Sequence, residues 1–470
     1  MIELLWLAGK AFVIALILTP IIRDISRSFN VVDRPGHRKV HAYPMPRVGG
    51  IAIAIAYGAA LVILPGSANG TMTSSLHAVW NLVPGAALVF LIGLIDDFFS
   101  LKPIVKLLGL VVAASVVFFS GIHIGGIAAH SMAFWLDYAL TVFWLILTSN
   151  ALNLVDGLDG LCAGMGLMAT LALFTAALIH GNHPLAFVTF PLAGALLGFL
   201  CYNVAPATVF LGDSGALLIG FLLGCYGMLW TEKASTLLSM LVPLLALSIP
   251  LLDVSLSVLR RFLRNQPIFS ADRGHIHHRL LDRGLSPRQA VWVLYLFAAL
   301  AGSLALLASS FAWQYQGFVI VAFCVAAGIG IRQLRYPEFN IVGRLFRGEF
   351  QRAMNVKLKV ESVASKLEGA VTSDQWWTVL EQSVSSLGLT AIRWNSSAGV
   401  REHRGSPAPC MWSFHISLGP ADSIEFEGVF VANSRAFDLI GFAEILGRTF
   451  PPNRAASSAT ATGTVAAALP

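Results

Sequence analysis

The sequence predicts an all-α polytopic membrane protein with about eleven transmembrane helices, followed by a small C-terminal cytoplasmic α/β appendage. Three observations carry this prediction. Hydrophobic residues make up 56% of the 470-residue chain and charged residues only 12%, which is about half the charged share of an average soluble protein. The mean hydropathy is +0.73. Long apolar runs recur through residues 1–335 and then stop.

Eleven apolar runs are candidate membrane spans, because a helix of about 20 apolar residues crosses a hydrocarbon core of about 30 Å. They cover residues 3–22, 48–65, 81–95, 103–121, 132–150, 160–179, 185–201, 214–230, 237–258, 290–308 and 316–331. The third run is the shortest, so the sequence defines its bounds least well. The five cysteines are scattered and mostly lie in these runs, which argues against a disulfide framework and against a zinc site.

Lysines and arginines are concentrated in two segments, residues 23–47 after the first run and residues 260–288 after the ninth. The loops on the opposite side contain a single lysine or arginine, Lys233. The positive-inside rule therefore places the N-terminus outside and the odd-numbered loops in the cytoplasm. Acidic helix ends that are scattered along the sequence then converge on one face, which predicts a single site.

The composition changes near residue 335, so we divide the chain into three parts. Residues 1–335 form the polytopic membrane domain, and residues 336–451 form the cytoplasmic appendage, to which the sequence assigns no role. Residues 452–470 are rich in Ala, Ser and Thr, which predicts a disordered tail. Within the appendage, the periodicity predicts helices over 344–367, 374–387 and 436–450 and strands over 412–418 and 423–431.

Two adjacent aspartates, Asp96 and Asp97, follow the third apolar run. A carboxylate at the centre of a membrane helix costs about 2.5–3.5 kcal/mol on insertion scales, so such residues are functional candidates. Lys102 and Lys106 come next and either balance these acids or contact a substrate phosphate. Acids return at three later places: Asp156 with Asp159, Asp213, and Asp253, which lies inside the ninth run and therefore needs a partner. This repetition predicts a bound metal ion or phosphate.

The run from Asn150 to Gly160 contains a dense set of oxygen ligands. Asn150, Asn153 and Asp156 recur every third residue and therefore share one helix face, and Asp159 follows in a turn. Asparagine and carboxylate oxygens suit Mg²⁺. We interpret Asp156 as a metal ligand or catalytic group, Asp159 as catalytic, and the two asparagines as substrate contacts. The alternative is a polar helix end that is capped by asparagines.

Asp213 lies at the start of the eighth apolar run, shortly after Phe210. Beside the other acids it is a candidate metal ligand, although an aspartate at a helix N-terminus also serves as a simple N-cap. Exposed amides at this helix start favour a phosphate or diphosphate nearby. Phe210 either stacks on a base or anchors the membrane interface.

A basic loop after the ninth run contains His275, His277, His278 and Arg279. Such side chains bind anionic oxygens through charge-assisted hydrogen bonds. The alternatives are a transition-metal site, which the neighbouring arginines disfavour, and a basic loop near anionic lipid head groups. Lys39 belongs to the basic segment 32–41, which either covers a phosphate-bearing ligand or only satisfies the positive-inside rule.

Six motifs occur in a fixed order along the first 280 or so residues. They are Val32-Asp33-Arg34-Pro35…Arg38-Lys39-x-His41…Gly49-Gly50, Gly93-x-x-Asp96-Asp97, Asn150-x-x-Asn153-x-x-Asp156-Gly-x-Asp159-Gly160, Asn203-x-x-Pro206-Ala207, Phe210-x-Gly-Asp213-Ser-Gly215 and His275-Ile-His277-His278-Arg279. Together they resemble the polyprenyl-phosphate N-acetylhexosamine-1-phosphate transferase family, or glycosyltransferase family 4, over residues 15–285. The histidine loop is closer to the WecA–TagO branch, the undecaprenyl-phosphate GlcNAc-1-phosphate transferases, than to the MraY branch.

The resemblance implies that UDP-GlcNAc and undecaprenyl phosphate give undecaprenyl-diphosphate-GlcNAc and UMP, with Mg²⁺ or alternatively Mn²⁺. It implies that Asp213 is the leading Mg²⁺ ligand and that Asp97 acts as a base on the lipid phosphate. Asn203 and Phe210 match positions that hold the nucleotide, with Phe210 stacked on uracil. The three histidines would engage the diphosphate or the sugar. From their charge and position alone, Lys39, Lys106 and Arg279 are further candidate contacts to the substrate.

The resemblance also implies a multi-pass protein of the bacterial inner membrane whose active site faces the cytoplasm and starts a cell-surface polysaccharide. Another UDP-N-acetylhexosamine or UDP-MurNAc-pentapeptide is the alternative donor. A homodimer is a candidate assembly, and no nucleic-acid partner is expected.

The role of Asp97 is open to a physical objection. A phosphate monoester has its second pKa near 6, so the lipid phosphate is largely dianionic at pH 7. Our hypothesis is that Asp97 orients metal or substrate at least as much as it accepts a proton. Two other classes of function fit less well: a proton-coupled transporter needs polar groups near the midplane, and a non-catalytic anchor leaves the acid clusters unexplained.

Overall fold

The computed structural model describes residues 1–29, 32–33, 44–62, 70–127, 130–231, 240–263, 274–310, 313–334, 349–387, 389–397, 399–405, 412–418, 422–428 and 439–450. The chain divides into two compact units, Met1–Arg335 and Tyr336–Pro470. The first unit is helical, and the second combines helices with a small antiparallel sheet.

The helices of the first unit are α1 (Ile2–Ser28), α2 (Gly49–Val62), α3 (Gly70–Phe99), α4 (Pro103–Phe119), α5 (Phe134–Val155), α6 (Leu161–Ile179), α7 (His183–Asn203), α8 (Gly212–Thr231), α9 (Leu241–Ala246), α10 (Ser248–Leu263), α11 (Ile276–Leu281), α12 (Pro287–Ser310) and α13 (Trp313–Gln333). Two short antiparallel pairs accompany them, β1 (Val32–Asp33) with β2 (Met45–Pro46) and β3 (Gly126–Ile127) with β4 (His130–Ser131).

Seven of the described helices are long and apolar enough to cross a membrane. They are α1, the Val79–Phe99 part of α3, α5, α6, α7, the Gly212–Trp230 part of α8, and α12. Three described helices are apolar but shorter: α2, α4 and the Gly317–Gln333 part of α13. The chain is therefore a multi-pass membrane protein.

Where the structure describes them, the predicted apolar runs fall largely on helices, but the third and the ninth differ from the prediction. The third run belongs to a helix of 30 residues that continues through Asp96 and Asp97 to Phe99, because the two carboxylates lie in its last turn and leave the helix intact. The ninth run is divided between two helices, α9 and α10, which meet at Leu247.

α8 lies at the centre of the first unit, and nearly all of its residues are buried. Two glycines allow neighbouring backbones to reach its first turn. A Cβ on Gly50 of α2 would collide with the backbone of Gly215, and a Cβ on Gly93 of α3 would lie 2.5 Å from the Ser214 Cα. The N-terminus of α8 is thus held between α2 and α3, which explains two of the glycine motifs.

The second unit consists of α14 (Glu349–Gly369), α15 (Ser373–Leu387), α16 (Leu439–Thr449) and four strands, β5 (Ala391–Ser396), β6 (Gly399–Arg404), β7 (Trp412–Ser417) and β8 (Ser423–Gly428). The sheet order is β6-β5-β8-β7, with all neighbours antiparallel. Trp394 of β5, Phe414 of β7 and Phe426 of β8 are buried in one hydrophobic core, which also contains Trp376.

The sequence-predicted helices and strands of this unit correspond to α14, α15, α16, β7 and β8, whereas β5 and β6 were missed. β6 is an edge strand whose residues are nearly all exposed, so it has no alternating apolar pattern to detect. The predicted tail, 452–470, lies outside the described residues.

Candidate active site

A carboxylate from α3 holds the N-terminus of α8. Asp97 accepts hydrogen bonds from the backbone N–H of Asp213 at 2.7 Å and of Ser214 at 3.0 Å. The Ser214 hydroxyl donates a third hydrogen bond to Asp97 at 2.6 Å. The negative charge also complements the positive end of the helix dipole. Asp97 accepts from both of these amides and so fixes the position of Asp213; the phosphate expected near this helix start stays a prediction.

Lys106 bridges two carboxylates beside this helix start. Its Nζ lies 2.5 Å from Asp96 Oδ2 and also donates to Asp213 Oδ2. Arg47 approaches the other oxygen of Asp213, with Nη2 and Oδ1 3.5 Å apart. The second oxygen of Asp96 accepts from the backbone N–H of Leu101 at 2.6 Å. Asp96 and Asp213, which are 117 residues apart in the sequence, therefore converge on one cationic atom.

Asp156 ends α5 as its C-cap residue and is partly buried. Burial raises the pKa of its carboxyl to about 7, with contributions from the negative charges of Asp213, Asp97 and Asp159 and an opposing effect of Arg47. Asp156 thus belongs electrostatically to the same cluster of acids and is half protonated near neutral pH.

Two predicted site residues connect the α5–α6 turn to the loop between α7 and α8. Asp159 accepts from the backbone N–H of Ala207 at 2.9 Å. Asn203 is buried, accepts from the N–H of Gly160 at 3.1 Å and donates to the carbonyl of Val209 at 2.9 Å. Asp159 and Asn203 therefore fix the relative position of the loops that carry Asp156 and Asp213.

The histidine loop is anchored by the carboxylate of Asp253, which is only 2% exposed. His275 Nδ1 lies 3.1 Å from Asp253 Oδ2, and the Ile276 N–H donates to Oδ1 at 2.9 Å. The His275 and His277 rings are parallel with centroids 5.8 Å apart. A Cβ on Gly157 would collide with His277 Nε2. The loop therefore contacts the turn that begins at Asp156, and the partner that Asp253 required is His275.

His277 is buried, and this burial, together with the adjacent His278, lowers its pKa to about 4. The imidazole is consequently neutral at pH 7. His278 is partly buried, with its ring centroid 4.3 Å from that of His277, and Arg279 follows it in α11.

Backbone hydrogen bonds tie the segment after β2 to the segment before α8. The Phe210 N–H donates to the carbonyl of Pro46 at 2.8 Å, and the Gly49 N–H donates back to the Phe210 carbonyl at 3.0 Å. The Gly50 N–H donates to Leu211 at 2.8 Å. Pro46, Gly49 and Gly50 are thus fixed beside the start of α8, and the Phe210 side chain is partly buried.

Comparison with known proteins matches this region to one family. A family model described as "Glycosyl transferase family 4" matches residues 79–231. A protein of Bacillus subtilis (strain 168), named "Probable undecaprenyl-phosphate N-acetylglucosaminyl 1-phosphate transferase", is 34% identical over 344 residues, which cover 70% of this chain and 94% of that protein. The chain belongs to glycosyl transferase family 4.

Two further relatives of this family 4 chain support the assignment. A decaprenyl-phosphate N-acetylglucosaminephosphotransferase of Mycolicibacterium smegmatis is 34% identical over 330 residues, covering 63% of this chain and 80% of the relative. An undecaprenyl-phosphate alpha-N-acetylglucosaminyl 1-phosphate transferase of Escherichia coli (strain K12) is 29% identical over 321 residues, covering 65% and 83% respectively.

The structure of this family 4 transferase does not bring every predicted residue to the cluster. Asn150 donates to the Ile146 carbonyl at 2.8 Å, one turn back in α5, so its side-chain amide is used within its own helix. Asn153, on the same face of α5, is partly buried. Lys39 lies outside the described residues.

Sequence reasoning missed two residues that shape the site. Arg47 faces Asp213, and its place at the end of the basic segment was a usable signal. The Tyr295 hydroxyl donates to the Gly160 carbonyl at 2.6 Å and so supports the α5–α6 turn from α12. No sequence signal distinguishes this tyrosine from the apolar residues around it.

The described residues contain no group of three or more His, Cys, Asp or Glu side chains that is arranged to hold a metal ion. The oxygens of Asp96 and Asp213 nevertheless converge on one cation, the Lys106 ammonium. Mg²⁺ is usually held by one or two carboxylates together with water and substrate phosphates, so this donor set fits Mg²⁺. The sequence paired Asp213 with Asp156 at the metal, whereas the carboxylate that shares a cation with Asp213 is Asp96.

Proposed function

We propose that this chain transfers GlcNAc 1-phosphate from UDP-GlcNAc to undecaprenyl phosphate, releasing UMP, and so starts a cell-surface polysaccharide on its lipid carrier. The observation that carries the proposal is the convergence of Asp97, Asp213, Asp96 and Lys106 at one end of membrane helices. The names of the relatives support a polyprenyl phosphate acceptor and an N-acetylglucosaminyl 1-phosphate group.

In this reaction, an oxygen of the lipid phosphate attacks the β-phosphorus of UDP-GlcNAc. A new P–O bond forms, the bond from that phosphorus to the bridging oxygen breaks, and its electron pair leaves with UMP. Both reactants are anionic, so the site must offset their repulsion and the charge on the leaving phosphate. We assign Lys106 and Arg47 to this task. When bound at Asp213 and Asp96, Mg²⁺ would supply further neutralisation of the phosphate oxygens.

We assign Asp97 a positioning role. Its oxygens accept three hydrogen bonds from the first turn of α8, so they are committed to the helix start. The lipid phosphate is largely dianionic at pH 7 and has little need of a base. Asp97 therefore acts mainly by fixing where the Asp213 carboxylate points.

The remaining predicted substrate contacts form two groups. We propose that Phe210 meets the uracil and that His275, His277, His278 and Arg279 face the diphosphate or the sugar. The hydrogen bonds of Asn203 and Asp159 favour a positioning role for both, in which they hold the loops around the substrate. Asp156, with its ionisation balanced near neutral pH, is the acid best suited to respond to a bound cation.

We further propose eleven membrane spans, with α2, α4, α13 and the α9–α10 pair added to the seven long helices. The site then faces the cytoplasm of a bacterium from the inner membrane, because the Arg- and Lys-rich segments follow α1 and α10. A homodimer and the use of Mn²⁺ are further predictions.

A different UDP-N-acetylhexosamine or UDP-MurNAc-pentapeptide is the alternative donor for the same chemistry. A proton-coupled transporter is less favoured, since Asp97, Asp156 and Asp213 lie at helix ends rather than near a midplane.

The test is to incubate the purified protein with undecaprenyl phosphate, Mg²⁺ and a panel of UDP-sugars and to measure UMP release. We expect UMP with UDP-GlcNAc, and loss of release with EDTA or in the Asp213→Asn variant. Asp24→Asn, which alters an exposed aspartate paired with Arg23 on α1, is the matched control and should retain activity. A folded protein that releases no UMP with any donor would contradict the proposal.

A further inference from the structure

The Lys106 ammonium lies where a bridging cation would bind. Its Nζ contacts one oxygen of Asp96 and one oxygen of Asp213, and all three side chains are 10–18% exposed. A divalent cation and the ammonium need the same converging oxygens, and their like charges repel each other. The two therefore exclude each other from this position.

Lys106 is suited to leave this position. It lies in the first turn of α4, after Pro103 and Lys102, at the positive end of a helix dipole where a cation is disfavoured. The two carboxylates therefore account for its placement. A lysine ammonium is a compact charge on a flexible stem with four carbons, so it can move to a new anion while its helix stays fixed.

We propose that Lys106 is an internal competitor of the divalent cation and couples metal binding to substrate binding. The cation displaces the ammonium from Asp96 and Asp213, and phosphate oxygens of an arriving substrate then accept it. Metal and phosphate ligand consequently strengthen each other's binding. This inference rests on the proposed function, because it takes the substrate to carry phosphates and the metal to bind at Asp213.

Arg47 does not replace Lys106 in this role. It contacts the other oxygen of Asp213 at 3.5 Å, and its side chain is 41% exposed, against 16% for Lys106. It can therefore remain beside Asp213 while the bridging position changes its occupant. Among the described residues, the competition belongs to the side chain that pairs with both carboxylates, Lys106.

The test is Mn²⁺ binding to the purified protein, followed by electron paramagnetic resonance, with no nucleotide, with UDP, or with dodecyl phosphate. In the wild type, UDP should tighten Mn²⁺ binding about tenfold, within the usual range of coupling between sites. Lys106→Met should bind Mn²⁺ about tenfold more tightly than the wild type without nucleotide, and the effect of UDP should shrink to the part that direct contact between its phosphates and Mn²⁺ supplies. Lys366→Met, which changes an exposed lysine of α14 to which no site role is assigned, is the control and should behave as wild type.

The ligand arms identify the source of the phosphate. Coupling to UDP alone assigns Lys106 to the donor diphosphate, and coupling to dodecyl phosphate alone assigns it to the lipid phosphate. Unchanged or weaker Mn²⁺ binding in Lys106→Met would overturn the proposal. Lys106→Gln and the rise in melting temperature on adding Mn²⁺ provide a second test if the methionine variant is unstable: a larger rise in the glutamine variant supports competition, and an equal or smaller rise opposes it.

The nucleotide-free arm separates this inference from the proposed function. Tighter Mn²⁺ binding in Lys106→Met would support the competition even if UDP bound to none of the proteins, a result that would count against the UDP-sugar donor alone. Normal UDP binding with unaltered Mn²⁺ affinity would instead leave the proposed function standing and remove the role of Lys106.

Discussion

Replacing Asp97 with Asn distinguishes positioning from base catalysis. Asp97 Oδ1 accepts from the Asp213 N–H, and Oδ2 accepts from the Ser214 N–H and hydroxyl. An asparagine has one acceptor oxygen. In the least damaging orientation that oxygen faces Ser214, and the new NH₂ group points at the Asp213 N–H.

The variant therefore loses at least one charge-assisted hydrogen bond and brings two donors together. A hydrogen bond to a charged group contributes about 1.5–3 kcal/mol, so we expect a loss of at least that size in the free energy of unfolding. Asp213 shifts with the helix start, and a displacement of about 1 Å in a catalytic group lowers a rate about 100-fold. We expect kcat to fall by about that factor.

The assay is UMP release between pH 6.5 and pH 9. Positioning predicts that Asp97→Asn stays impaired at pH 9, where the lipid phosphate is fully ionised. It also predicts that Ser214→Ala, which keeps the carboxylate and removes one hydrogen bond to it, lowers kcat at every pH. Near-complete recovery of Asp97→Asn at pH 9, with normal activity of Ser214→Ala, would refute the positioning role and support Asp97 as a general base.

Three further variants test other parts of the site. Gly157→Ala puts a Cβ against His277 Nε2, so the KM for UDP-GlcNAc should rise about tenfold, and an unchanged KM would count against a substrate role for the loop. Asp253→Asn removes the charge that orients His275, so kcat/KM should fall about 10-fold or more while the far-ultraviolet circular dichroism stays the same; full activity would make Asp253 structural only. Burial raises the pKa of Asp156 to about 7, so the folded protein binds more protons than the unfolded one between about pH 4 and 7 and loses stability as the pH rises. Asp156→Asn should remove this loss. In EDTA, the melting temperature of the variant should therefore exceed that of the wild type at pH 8 but not at pH 4.5. An equal gain at both pH values would contradict the predicted fall in stability with rising pH.

The sequence predicted the parts of the fold that depend on local pattern. Apolar runs and basic loops placed the helices of the first unit and brought Asp96, Asp97, Asp156 and Asp213 to one side. Those inferences need only the composition of neighbouring residues. The edge strand β6 escaped because it is exposed on both faces.

The functions of individual side chains depend on contacts between distant residues, which one sequence does not reveal. The sequence shows an aspartate at position 97 but not whether its carboxylate caps α8 or faces the substrate. In the structure it accepts hydrogen bonds from the first turn of α8. Asn203 was predicted as a substrate contact, and the sequence did not reveal that it also holds two backbone groups. The partner of Asp253, His275, lies 22 residues away across a loop.

The most direct test of the central claim follows the label from UDP-GlcNAc that carries ³²P in its β-phosphate. Transfer of GlcNAc 1-phosphate breaks the bond between the two phosphates, so the label should appear in the undecaprenyl product and UMP should be unlabelled. If the label instead remained in UDP while the sugar moved to the lipid, the chain would transfer the sugar alone, and the account of Asp213, Lys106 and the lipid phosphate would be contradicted.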